Sequence, residues 1–316
     1  MNWRVIIIVL AVLLVAPAGL SGYALQVAVQ ALVLAVFAMS FNLLFHHTGL
    51  LSFGHAAFFG TGAYAAAIAA SRWNWPLAAT LPLSLAVTAI AALVIGFFSV
   101  RLTKIYFTML TLAFAQMLWA VVHKWYDFTG GDNGITGLLA GGILGKTLGV
   151  YYVSLAALVF VVVVVRTIAS SAAGYTLRAV RDNPARAEAI GISAFEYTLA
   201  AFVISGVLSG LAGFLHVAWQ HSAFPDQFYW TTSAEVIIAT ILGGSDFFLG
   251  PLIGAIVLVA AEAVVRSHTQ YWPLALGLVL LVLVLFSPKG VIGLLARGKR
   301  GGTAGQPHKE KQRATA

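Results

Sequence analysis

Cysteine is absent from the 316 residues, so disulfides, thiolate metal sites and cysteine nucleophiles are all excluded. Charge is scarce too: 9% of the residues are Asp, Glu, Lys or Arg and 60% are hydrophobic, whereas a soluble domain carries about a quarter charged residues. Such a chain cannot cover itself with polar surface, and its apolar runs are long enough to cross a bilayer. Alternation with period two is missing from runs such as 5–15 and 274–286, which excludes a transmembrane barrel. There is no GxxxxGK[ST] phosphate loop, so no nucleotide cofactor is expected on this chain, and the GGDNG stretch lacks calcium-loop spacing, so no metal is expected either. No nucleophile with a facing base can be identified, and the chain is not read as an enzyme.

What is present is a series of ten apolar segments, near 5–22, 25–45, 55–71, 77–99, 105–123, 150–169, 196–218, 232–244, 250–265 and 272–287. The fold class is an all-α polytopic membrane protein of eight to ten crossings, with residues 1–296 forming the membrane domain and 297–316 a disordered basic tail. The first segment is read as a retained helix, not a cleaved signal peptide. With ten segments both termini share one side. Arg4, Arg101, Lys104, Arg166, Arg178, Arg181, Arg186, Lys289, Arg297, Lys299, Arg300, Lys309, Lys311 and Arg313 then fall together, 14 of the 18 basic residues, which makes that side cytoplasmic. The net charge of +8 is therefore a topology signal, and nucleic acid is not an expected partner.

Two places break the pattern. Residues 232–244 rise only about 20 Å as a helix, short of the roughly 30 Å hydrocarbon core. HHTGLLSFG, residues 46–54, interrupts the second and third segments. Both are read as broken or re-entrant backbone, and a translocation path is expected beside them. The intramembrane polar residues are few. Glu262 and Arg266 have the spacing of an i,i+4 pair, His55 and His216 read as interior histidines, Glu235 as a helix-start charge and Asp246 as a turn cap. Gly206, Gly210 and Gly213, with Gly250 and Gly254, have the small-xxx-small spacing of closely packed helices.

Residues 174–193, GYTLRAVRDNPARAEAIGIS, form a long charged loop in an otherwise apolar chain. Asn183 and Pro184 have the character of an N-cap and first-turn residue, and Gly191 of a helix stop, so a short amphipathic surface helix is expected for a partner to push against.

The blocks LLSFGHAAFFGTGAY (50–64), YFTMLTLAFAQ (106–116), TGGDNGITGL (129–138), the loop 174–192, AFVISGVLSGLAGFL (201–215), ILGGSDFFLGPLIGA (241–255) and FSPKGVIGL (286–294) resemble the LivM-type permease of branched-chain amino acid ABC importers. The resemblance runs from about residue 30 to about 295. It implies a multi-pass subunit of the bacterial inner membrane, with a fold similar to vitamin B12-type and ribose-type importer permeases. Its implied partners are a related LivH-type permease, two LivG/LivF-type cytoplasmic ATPases that hold ATP-Mg, a periplasmic binding protein and the lipid membrane. On this resemblance Arg178, Arg181, Asp182, Asn183, Arg186, Glu188 and Gly191 belong to the coupling helix. Asp127, Asp132, Asn133 and Asp226 are candidates for docking the binding protein. Asn42, Phe45, Phe58, Phe59, Phe114 and Gln116 are candidates for the path. Branched-chain amino acids are the implied solutes; urea, amides or aromatic acids in the same importer class, and a stand-alone secondary carrier, are the alternatives.

Overall fold

The computed structural model describes residues 13–20, 22–139, 141–268, 270, 271, 274, 277, 278, 281 and 290–293. Most of the expected segments 5–22 and 272–287, and the whole tail 297–316, lie outside the described residues. The rest is almost entirely helical, as a bilayer requires when no water is available to pair backbone N–H and C=O groups. In order the helices are α1 (Gly22–Thr48), α2 (His55–Arg72), α3 (Leu81–Ser99), α4 (Lys104–Lys124), α5 (Thr147–Ser170), α6 (Ala172–Asp182), α7 (Pro184–Ala189), α8 (Ala194–Gln220), α9 (Trp230–Gly243) and α10 (Gly250–His268).

Among the described residues six helices are long and apolar enough to cross a membrane: α1, α3 with the preceding turn, α4, α5, α8 and α10. The protein is thus a polytopic helical membrane protein. Of the eight expected segments that lie within the described residues, six form these full-length crossings and two, near 55–71 and 232–244, do not. Helix α2 has 18 residues but carries His55, Thr61, Tyr64, Ser71 and Arg72, and α9 has only 14. Burial ranks the helices: 83% of the apolar window of α1 and 72% of that of α8 is covered, against 22% for α4, so α1 and α8 are the centre and α4 is peripheral.

The central helices approach closely because glycines line the contacts. A Cβ on Gly62 of α2 would strike the Gly210 backbone of α8, and one on Gly213 would strike the Phe59 carbonyl. Gly206 and Gly210 face Ala92 and Thr88 of α3, while Gly243 of α9 and Gly254 of α10 are fitted to one another. The small-residue spacing is therefore used within the chain. A polar ladder crosses the same contact: His55 Nε2 lies 2.8 Å from Ser205 Oγ, which donates to the Ser40 carbonyl at 2.6 Å, and Ser40 Oγ lies 2.8 Å from Ser209 Oγ. His55 is an interior, hydrogen-bonded residue, as its position in the apolar pattern suggests.

Both broken places turn inward. Residues 49–54 leave α1 beside Lys104, at the start of α4, and reach Thr111 two turns further along it. Thr108 Oγ1 holds the Leu51 carbonyl at 2.7 Å on the way. At the other end of the bundle residues 221–229, which lead into the second broken place at 232–244, descend from the end of α8 until Phe228, 2% exposed, packs on Gly60 and Tyr64. Helices α2 and α9 consequently both start inside the bundle, where they meet: Ser233 Oγ of α9 accepts a 2.8 Å bond from the Ala56 N–H of α2. No side chain of α2's own N-cap does this, since that residue is Gly54. Ser233→Ala is expected to leave that buried N–H unpaired and lower stability by about 1–3 kcal/mol, measured by unfolding in mild detergent; an unchanged midpoint would show that the bond is dispensable.

Charge divides the bundle into two ends. Arg101, Lys104, Arg166, Arg178, Arg181 and Arg186 gather where α6 and α7 lie, and Arg72, Lys124, Lys146 and Arg266 sit at the opposite helix ends. At that opposite end the loops 130–138 and 221–224 are joined by reciprocal 2.8 Å bonds between Ile135 and Ala223. The predicted Glu262–Arg266 pair is present there at 3.0 Å.

Candidate functional site

At the basic end the charged loop folds as two helices rather than one. Asn183 ends α6 and caps α7, its Oδ1 accepting from the Arg186 N–H at 3.0 Å, with Pro184 in the first position of α7. Gly191 takes φ +86°, a left-handed conformation that suits glycine and lets the chain turn back toward α8. On α6 the spacing of Gly174, Leu177 and Val180 puts one apolar face against the bundle; on α7 only Ala187 is buried. Two of the arginines assigned to the loop act as anchors. Arg178 donates to the Ala169 carbonyl at 3.2 Å and lies 4.5 Å over the Tyr175 ring, while Arg181 donates to the His46 carbonyl at the end of α1. Asp182, Asn183, Arg186 and Glu188 are exposed.

Sequence reading missed two apolar members of this surface, Ile190 at 73% exposed and Tyr175 at 66%. An isoleucine beside a helix-stopping glycine in a hydrophilic loop was the available signal. It also missed the groove of about 840 Å³ between this helix pair and the α3–α4 turn, walled by Leu102, Tyr106, Val180, Pro184, Glu188 and Phe195. A cationic, partly apolar rim with a groove behind it is suited to seating a soluble protein.

The opposite end holds a cavity of about 280 Å³ between α1, α2, α8 and the start of α9. Phe37 and Phe59 form an apolar wall, and Gln30, His216, Asp226 and Glu235 supply polar groups. His216 is packed between the rings of Phe59 and Trp219, at 5.4 and 5.7 Å. Glu235 is half-buried in the second turn of α9, facing this cavity, because α9 starts inside the bundle rather than at its surface.

The six path candidates do not come together. Phe59 lines the cavity just described, and Phe45 lines another at the basic end, with His46, Lys104 and Asp246. Phe58 is fully buried against Phe107 and Phe202, in an aromatic core with His55. Phe114 packs beside Phe98, whereas Asn42 Oδ1 and Gln116 Nε2 are buried without a hydrogen-bond partner among the described residues. The docking candidates Asp127, Asp132, Asn133 and Asp226 are all exposed at the end opposite α6 and α7. Asp132 lies 3.7 Å from His123, and Arg72 donates to the Asp127 carbonyl.

No solved structure matches the chain. The chain is 24% identical to the high-affinity branched-chain amino acid transport system permease protein LivM of Escherichia coli (strain K12), over 92% of its own length and 75% of the relative's. It is 24% identical to LivM of Salmonella typhimurium, over 87% and 71% of the two chains. A shorter match, 28% over 38% of the chain and 41% of the relative, is to a probable branched-chain amino acid transport permease protein LivH of Methanocaldococcus jannaschii. Residues 23–287 match the model of the family described as branched-chain amino acid transport system permease component, from the start of α1 to beyond α10, and the chain belongs to that family.

Proposed function

We propose that this chain is one of two membrane-spanning halves of an ATP-driven importer for branched-chain amino acids, with its basic end and both termini in the cytoplasm of a bacterial inner membrane. The observation that carries this reading is the α6–α7 pair. It is anchored to the bundle by Arg178 and Arg181 and turns Asp182, Arg186, Glu188 and Ile190 outward at the end where cations concentrate. The sequence has no phosphate loop, so the energy comes from an ion gradient or from other polypeptides, and the outward-facing helix pair favours the latter. Two ATPase subunits that close on ATP would draw this helix pair toward its counterpart in a LivH-type partner. Because Arg181 ties α6 to the end of α1, that displacement would pass directly to the central helix of the bundle. The joined loops at the other end, with Asp127, Asp132, Asn133 and Asp226, receive a periplasmic binding protein.

Affinity purification of the tagged chain from its native membrane in mild detergent tests the reading. Recovery of a second permease and two ATPases is expected. Recovery of the chain alone, active in liposomes without ATP, would replace the importer with a carrier.

A further inference from the structure

The cavity at the end away from the arginines carries a chemical preference. Two carboxylates face it, Asp226 and Glu235, and no lysine or arginine does. Neither carboxylate has a hydrogen bond or ion pair among the described residues. The nearest cation along the wall is Arg266, in an adjoining cavity that shares Gln30 and Trp219, and it is held by Glu262 at 3.0 Å. His216 is the remaining titratable group on the lining, and it lies between two aromatic rings. Gln227, 7% exposed, contributes to the lining beside the two carboxylates.

The start of α9 also contributes, with opposite sign. Its dipole amounts to roughly half a positive charge and fades within the first turn, whereas Glu235 lies beyond that turn. Half a charge is smaller than the charge of the Asp226 carboxylate alone, so the helix start does not turn the cavity toward an anion. Its other face is apolar, with Phe37 and Phe59 of α1 and α2, and the aromatic Trp219 beside them. About 280 Å³ is at the small end of ligand sites, fitting a small solute and not a peptide.

We propose that this cavity binds the ammonium group of a small amphiphilic solute, with Asp226 and Glu235 as its acidic partners and Phe37 and Phe59 against the aliphatic part. The site rests on the importer reading for its place on the route, and it specifies which end of an amino acid is held there. The amine is the recognised group; a carboxylate alone is repelled. Aromatic faces on the lining add to the attraction for a cation.

The test uses the full chain in nanodiscs and reads tryptophan fluorescence, with Trp219 as the reporter on the wall. The probes are leucine, 3-methylbutylamine, which keeps the ammonium and the branched tail, and 4-methylpentanoate, which keeps the carboxylate. Saturable binding of leucine and the amine, no binding of the acid, and affinity for the amine weakened about tenfold or more in Glu235→Gln and in Asp226→Asn is the expected result. Asp226 lies at the exposed rim, so D226N remains informative if E235Q fails to fold. Equal binding of the acid, loss of neither affinity, or no saturable binding of any probe would overturn the proposal. Because binding is read without ATPases, amine binding by a chain that co-purifies alone would sink the importer and leave the site standing. An intact complex with no amine preference would do the reverse.

Discussion

Replacing Ile190 by Asp together with Arg186 by Glu is expected to strip the ATPase subunits from the purified complex while the chain still inserts in the membrane. Both side chains stand on α7 and its C-terminal turn, in the stretch that makes the least contact with the bundle: Ala187 is the sole buried residue of α7, and Ile190 is 73% exposed. An exposed isoleucine outside the bilayer gains about 2 kcal/mol if a partner covers it. Reversing a charge at a docked interface costs about 2 kcal/mol or more. Together these amount to about a thousandfold weaker association, enough to lose the subunits during purification. Thermal stability of the chain itself should change little, because exposed substitutions away from buried features move it by about 0.5 kcal/mol. Arg181→Glu has a different expected signature. Its guanidinium is bonded to the His46 carbonyl, so the charge reversal frees the helix pair from α1, and transport falls further than ATPase retention. Full retention of ATPases by the Ile190→Asp, Arg186→Glu chain would remove α7 from the docking surface.

Gly62→Ala is expected to destabilise the bundle by about 3 kcal/mol, and Gly213→Val to prevent a monodisperse protein from being obtained. In each case the added atoms meet backbone, not a flexible side chain: the Gly210 peptide in one case and the Phe59 carbonyl in the other. Backbone cannot rotate away, so α2 and α8 would have to separate, and the Ser205 contacts to His55 and Ser40 that cross the same interface would lengthen with them. Gly141→Ala is the control. Nothing lies within 4 Å of its Cβ position and its φ is −88°, so its melting temperature should be unchanged. A Gly62→Ala chain as stable as the Gly141→Ala chain would mean the helices sit further apart than described.

Much of the fold was legible because a bilayer imposes a simple rule on sequence. Segments near 25–45, 77–99, 105–123, 150–169, 196–218 and 250–265 coincide with the six crossing helices, since apolar length and helical pairing of the backbone are both local properties. The cap at Asn183, the stop at Gly191 and the Glu262–Arg266 pair are local as well, and all three are present. Periodicity was silent on distance. Phe58 and Phe59 are neighbours in sequence, yet one fills an aromatic core and the other lines the cavity between α1, α2, α8 and α9. Arg178 and Arg186 are equally charged, yet one is bound to the Ala169 carbonyl and the other is exposed. The helix expected from Pro184 is present as α7, and a second helix, α6, precedes it, the two separated at Asn183, whose ψ of 95° leaves the helical region.

By itself the sequence determined the class of molecule, its membrane setting, the grouping of its cations and the presence of a charged helical loop, because each depends on composition or on residues within a few positions of one another. Tertiary structure alone decided that the two broken stretches both run inward and that Ser233 caps α2 across 177 positions of chain. It also decided that Glu235, Asp226 and Gln227 share one cavity with Phe37 and Phe59. Those arrangements depend on which helices lie together and at what depth, and the glycine contacts of α2, α3 and α8 set that depth only once the helices are packed.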